Sequence, residues 1–328
     1  MKDRIINYQL SIVNGKWYNA PSILSAEGKS PDMNRKRVFV YISVLLSMLF
    51  WGMSYIWIKV VYQFYNPITT VFLRLLIAAP VQLIVVLGLK KLQKIRKEDF
   101  RYLIMVSLFQ PFLYFLCESY GVKYVSPTIA AVITSTIPLF VPIATYFLLK
   151  EKISWLNTLG LVVSFSGILL VIIKDDLSLS ASPLGLLFLF LAVGAGVGYT
   201  TSVRKMTLKY NPLSIVTYQN ILGVFWFLPL FLSIDVQSFL QARPSLSAVA
   251  SLIMLALLAS ALSFILFAYG VRELGAAKTS VFGNCIPVFT AVMSWLVLKE
   301  ELSPRMIIGI AVVITGLLMS QVKKQLLK

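Results

Sequence analysis

Ten apolar runs, each close to the ~20 residues that cross a bilayer as a helix, divide this sequence with only short links between them. They fall at 38–61, 68–89, 101–121, 126–149, 155–173, 183–203, 213–233, 246–271, 276–298 and 304–322. No link is long enough to hold a soluble domain. Composition agrees: 58% of the 328 residues are hydrophobic and 13% are charged, against about 25% charged in soluble domains. Such a chain lacks the polar surface for a water-soluble globule, and it is too apolar to be disordered. The sequence predicts an all-α integral membrane protein with ten transmembrane helices. Without histidine, imidazole acid–base chemistry and His-ligated metal sites are excluded. Cys117 and Cys285 lie in apolar runs at no zinc-binding spacing. No metal and no cofactor is expected.

A net charge of +17 can signal nucleic acid, but here the basic residues form short clusters between apolar runs. The positive-inside rule accounts for them. With the N-terminus in the cytoplasm, clusters at 35–37, 90–101, 150–152, 204–209, 272–278 and 323–328 fall inside. Only Lys59, Lys123, Lys174, Arg243, Lys299 and Arg305 fall outside. Both termini are expected to be cytoplasmic, in a multi-pass protein of the plasma (inner) membrane. No nucleic-acid partner is expected; the surroundings are a lipid bilayer. Residues 1–37 form a polar cytoplasmic segment without the apolar core of a cleavable signal. Gly28-Lys29-Ser30 is no phosphate-binding loop, because Ile23 replaces its first glycine and Pro31 follows it. Met33, just before the first basic cluster, is an alternative start to Met1.

The sequence also repeats itself. Tyr120-Gly121-Val122-Lys123 returns as Tyr269-Gly270-Val271-Arg272, Ile137-Pro138 as Ile286-Pro287, and Lys150-Glu151 as Lys299-Glu300. Ser154, Gly160 and Gly167 return as Ser303, Gly309 and Gly316, and Tyr65-Asn66-Pro67 as Tyr210-Asn211-Pro212. The halves are 38–173 and 183–322, five helices each. Because five is odd, the second copy enters the membrane from the opposite side, so the repeats are inverted. Inverted repeats suit alternating access, since exchanging their conformations exchanges the open side.

The residues now resemble a family. Phe50-Trp51-Gly52-Met53-Ser54-Tyr55, Phe72-Leu73-Arg74, Lys123-Tyr124-Val125-Ser126-Pro127 and Lys150-Glu151-Lys152-Ile153-Ser154 occur in the order found in EamA-like members of the drug/metabolite transporter superfamily. The second half echoes them with Gly275-Ala276-Ala277, Ile286-Pro287 and Lys299-Glu300-Glu301. The resemblance covers 34–322. It implies a secondary carrier of small metabolites, often an amino-acid exporter, with a cavity enclosed by helices one to four and six to nine.

Charged side chains in hydrocarbon cost about 2.5–3.5 kcal/mol or more, so each asks for a reason. Arg74 lies ~9 Å into helix two and Glu118 ~5 Å from the end of helix three, at 1.5 Å per residue. Similar depth allows an ion pair. Alternatively Arg74 holds a substrate carboxylate, with Glu118 as counter-ion or proton-coupling site. Trp51 and Tyr55, four apart, share a helix face and form either a cavity wall or a packing contact. Thr134 and Ser135 before Pro138, and Asn284 before Pro287, either satisfy carbonyls freed by proline or contact substrate at two hinges. Gln110, Tyr199, Gln219 and Asn220 are further candidates. Gly194, Gly196 and Gly198 give helix six a small-residue surface for close packing. The glycine pairs in helices five and ten mark a peripheral scaffold.

The function expected is secondary transport, export in direction, of small polar metabolites such as amino acids. The alternatives are a channel or a membrane-embedded enzyme, the latter disfavoured because Glu118 is the one obvious carboxylate within a span. Reporter fusions after residues 95, 207 and 325 should report cytoplasm, and fusions near 178 and 239 the outside. An external signal near 95 would place the densest basic loop outside and overturn the topology.

Overall fold

The computed structural model describes residues 8–13, 16–21, 31–149, 155–173, 178–274, 279 and 281–321. The chain divides into two compact units, Met1–Phe39 and Val40–Lys328. The first contains two antiparallel strands, Tyr8–Val13 and Lys16–Pro21, in register from Tyr8 opposite Pro21 to Val13 opposite Lys16. The intervening sequence is Asn14-Gly15, the dipeptide favoured in two-residue hairpin turns. This strand pair is absent from the all-α expectation, which took residues 1–37 only as polar chain.

The second unit is helical. Eight helices are long and apolar enough to cross a membrane: α1 (Val38–Val61, continuing a helix that begins at Pro31), α2 (Pro67–Gly88), α3 (Lys97–Tyr124), α4 (Pro127–Phe147), α5 (Trp155–Ile172), α6 (Pro183–Thr207), α7 (Pro212–Gln241) and α8 (Leu246–Val271). Two shorter apolar helices follow, α9 (Phe282–Leu298) and α10 (Pro304–Ser320). Each of the ten apolar runs overlaps one of these helices among the described residues. Helix α3 starts four residues before its run, at Lys97, where Glu98 and Asp99 favour a helix N-terminus. The motif positions 150–154 and 275–278 lie outside the described residues.

Five of the helices begin with proline at the first position, which needs no amide hydrogen there: Pro67, Pro127, Pro183, Pro212 and Pro304. Each follows an asparagine or serine. Ser126 accepts from the Ile129 amide and Asn211 from the Ser214 amide as side-chain caps. The two repeated Tyr-Asn-Pro sites are held reciprocally. At the start of α2, Asp235 of α7 accepts from Asn66 Nδ2 at 3.2 Å and from the Thr69 amide and hydroxyl at 3.0 and 2.9 Å. At the start of α7, the chain following α2 accepts in turn, with Gln93 Oε1 at 2.6 Å from the Asn211 amide and the Lys91 carbonyl at 2.7 Å from Asn211 Nδ2. Each helix start is thus tied to the far end of the other, so the two run antiparallel. Beside the second tie, Asp99 accepts from Lys209 Nζ at 2.7 Å and from the Tyr210 hydroxyl at 2.8 Å. That hydrogen bond holds the exposed Lys209 ammonium above the usual lysine range.

Helices α5 and α10 meet backbone to backbone. A Cβ on Gly160 would stand 2.5 Å from the Gly316 carbonyl, and one on Gly167 2.8 Å from the Gly309 carbonyl. The contact is antiparallel, and each glycine meets the repeat partner of the other. On α6, Gly196 and Gly198 admit Ile137 and Phe109 as the small-residue surface predicts, whereas nothing lies within 4 Å of a Cβ on Gly194. Gly316→Val should therefore destabilise the protein by about 1–3 kcal/mol through overpacking. Gly194→Ala should be neutral or stabilising by up to about 1 kcal/mol, because alanine is the better helix former. Thermal unfolding in detergent measures both, and equal melting of the two variants would contradict the glycine contact.

Candidate functional site

Breaks in four helices shape the interior. In α3, Pro111 and the non-helical Gln110 (φ −146°, ψ 123°) open a wide turn over Leu108–Leu113. The Gln110 carbonyl freed there accepts from Gln219 Nε2 at 2.8 Å. In α8 the segment Leu255–Leu262 is likewise widened, and its Ala259 carbonyl accepts from Trp51 Nε1 at 3.0 Å. Helix α4 is interrupted between Thr134 and Ile137. Ser135 and Thr136 donate their hydroxyls to the Val132 and Ile133 carbonyls at 2.7 and 2.6 Å, as expected for groups that repair a break. At the matching place in α9, Phe282–Cys285 forms a tight 3-10 turn before Pro287.

Between these breaks lies a cavity of about 580 Å³ lined from α1 to α4 and α6 to α9. It reaches Thr207, Pro212, Leu213 and Val271 at the helix ends. Its far end holds Tyr55, Arg74, Glu118 and Thr134. Beyond them Ile58, Ile129, Ala130 and Ala291 belong to one buried apolar cluster. Thr200, in α6, donates to the Gly196 carbonyl at 2.8 Å within the wall.

Both charges are buried, Arg74 at 5% and Glu118 at 6% exposure. Glu118 Oε1 accepts from the hydroxyls of Tyr55 at 3.0 Å and Tyr114 at 2.9 Å. The Tyr55 hydroxyl also pairs with Thr134 Oγ1 at 2.6 Å. Arg74 donates through Nε to Ser260 Oγ and lies 4.4 Å above the Phe115 ring. Among the described residues Arg74 and Glu118 are not within 4.0 Å as an ion pair, so the pairing considered from their depth is not made. Tyrosines hold the carboxylate instead, and the terminal nitrogens of Arg74 make no hydrogen bond to the described residues. A guanidinium with its fork unoccupied, facing a cavity, is suited to bind a carboxylate bidentately.

The cavity gathers Trp51, Tyr55, Arg74, Gln110, Glu118, Thr134, Ser135, Pro138, Tyr199 and Asn284 from the expected set. Trp51 packs on Phe264 and Phe267, each with ring centroids 5.2 Å away. Gln219, Asn220 and Pro287 do not line it. Gln219 holds the α3 break and accepts from Tyr199 at 3.4 Å, while Asn220 donates to Gln82 at 2.7 Å across α2 and α7. Sequence reasoning missed Tyr114, Phe115, Ser260, Phe264 and Phe267. Tyr114 is four residues from Glu118 on the same helix face, a signal that was available. Ser260 carries no local signal, since only tertiary contact brings it to Arg74.

Comparisons with known proteins fit this architecture. The chain is 28% identical over 295 residues to the uncharacterized transporter YetK of Bacillus subtilis, covering 89% of each chain. It is 29% identical to the uncharacterized transporter YyaM of the same organism over 299 residues, 86% of this chain and 93% of that one. An uncharacterized transporter of Archaeoglobus fulgidus is 26% identical over 84% of this chain and 96% of its own. A crystal structure with 12% sequence identity shares the fold at a TM-score of 0.63, covering 86% of this chain and 98% of the other. The EamA-like transporter family matches twice, over residues 38–173 and 183–321. The chain belongs to the EamA-like transporter family, with its domain in duplicate.

Proposed function

We propose that this protein is a secondary carrier that exports small polar metabolites bearing a carboxylate, amino acids among them, across the plasma membrane. The observation that carries the reading is Arg74, a buried guanidinium whose terminal nitrogens bond none of the described residues, in a cavity that reaches the helix ends at Thr207, Pro212 and Val271. The ten helices all span, as two inverted repeats with both termini cytoplasmic. The reciprocal ties of Asn66 with Asp235 and Asn211 with Lys91 and Gln93 support inversion. So does the self-matching glycine contact of α5 with α10. In that orientation the cavity mouth at Thr207, Pro212 and Val271 opens to the cytoplasm. Substrate enters there, its carboxylate meets Arg74, and its apolar part lies against Trp51, Phe264 and Phe267. Exchange of conformations between the repeats then opens the other side. Glu118, held by two tyrosines beside Arg74, is the proton-coupling group; Pro138 and Pro287 are the hinges. Tyr199, Gln110, Ser135 and Asn284 supply further polar contacts.

Counterflow in proteoliposomes, with amino acids, nucleosides and cationic dyes and with or without a pH gradient, tests the reading. Saturable uptake driven by internal substrate is expected for a carboxylate-bearing class; flux indifferent to internal substrate would indicate a channel. Arg74→Gln should fold yet lower exchange by more than about thirtyfold, the size of a lost buried charge contact of 2 kcal/mol or more. Glu118→Gln should exchange normally and ignore the pH gradient. Normal exchange of carboxylates by folded Arg74→Gln protein would overturn the assignment.

A further inference from the structure

A second cavity, of about 690 Å³, lies at the opposite end of α6 from the mouth of the first. Its lining includes Lys59 at the end of α1, Ser182 before α6, and Glu300 just beyond α9. Along α1, α4 and α9, the buried Ile58, Ile129, Ala130 and Ala291 lie between the residues that line the first cavity and those that line this one. Glu300 belongs to the repeated Lys-Glu motif, to which the transport reading gives no role. One of its oxygens, Oε2, accepts from Thr128 Oγ1 at 2.8 Å and from Ser294 Oγ. The other, Oε1, is buried without any partner. An unpartnered carboxylate oxygen taken from water is costly, and a cation or donor supplied from the cavity would satisfy it.

The cavity also carries an opposite pole. Lys59 Nζ makes one long bond, 3.4 Å to the Lys123 carbonyl. Lys59 and Glu300 are close enough to act on each other electrostatically, yet among the described residues they form no ion pair within 4.0 Å. Ser182 precedes α6 without capping it by its side chain, so the positive end of a 25-residue helix adds to this pole. Val125, Leu179 and Leu298 supply apolar wall between the poles.

We propose that this vestibule is a second ligand site, for a zwitterion whose ammonium meets Glu300 Oε1 and whose carboxylate meets Lys59 and the start of α6. Only in taking the ligand as cargo does this rest on the carrier reading. On that reading the vestibule is the station cargo occupies on the far side of the apolar seal.

Equilibrium binding of radiolabelled L-leucine to the purified full chain carrying Arg74→Gln, which disables the central cavity, tests the site. Leucine should still bind, and adding Lys59→Gln or Glu300→Gln should weaken it about tenfold or more, as loss of a charge-assisted bond does. 4-Methylpentanoate and 3-methylbutylamine, which each lack one charge of leucine, should compete at least about tenfold less well. The site is overturned if leucine does not bind the Arg74→Gln protein, if both added substitutions leave binding unchanged, or if either analogue competes equally. Should Glu300→Gln impair folding, the half-buried Lys59 still decides the matter. Failure of the carrier reading is a separate result, absence of exchange by the unmodified protein, and it leaves the binding outcome standing.

Discussion

Hydrocarbon offers no hydrogen-bond partner, so every polar atom buried in this bundle must find one inside the protein. The architecture follows from how that demand is met. Where proline or a widened turn releases a carbonyl, a side chain from another helix answers, as Gln219 does for Gln110 and Trp51 for Ala259. These repairs also fix the walls of the central cavity, because each ties a break in one helix to a neighbour. Glu118 is met in the same way by two tyrosines. Arg74 stands out because Ser260 and Phe115 hold its base while its fork stays open. An open guanidinium fork on a cavity wall is the feature on which the proposed carboxylate contact rests.

The two cavities are best understood through the seal between them. Ile58, Ile129, Ala130 and Ala291 are all nearly inaccessible and lie along their helices between the linings of the two cavities. On one side of the seal the polar groups are hydroxyls gathered around Glu118; on the other, Thr128 and Ser294 gather around Glu300. A carboxylate is thus held by hydroxyls at each face of the same apolar barrier.

Much of this was legible in the sequence. Run length and the bilayer's thickness placed most of the helices to within a few residues, though α7 continues to Gln241, eight residues past its run. The repeated Tyr-Asn-Pro and glycine pairs showed in the sequence as an internal repeat; that they meet one another reciprocally is seen only in the packed helices. The strand pair near the N-terminus escaped notice because a polar segment carries no bilayer constraint to sharpen the reading. Depth along a helix suggested a bond between Arg74 and Glu118, but depth says nothing of azimuth. Tyr114 sits one turn from Glu118 on the same helix, whereas Tyr55 and Ser260 come from helices whose rotation only packing decides. Gln219 and Asn220 were recognised as buried polar groups, and they serve the joints between helices rather than the cavity wall.

The glycine contact of α5 and α10 has a consequence for how such a chain can change over time. Gly160 faces Gly316 and Gly167 faces Gly309, so at this seam each copy of the domain is shaped against the other's duplicate of itself. The seam thus sets glycine against glycine across the two copies of the domain. Any side chain that one copy acquires there must be matched by room in the other, which holds the two copies alike. No such tether acts at Arg74, whose counterpart position carries Gln219, and there the halves have been free to become different. At the seam the paired glycines are alike in both copies, whereas Arg74 on the cavity wall has Gln219 at its counterpart position.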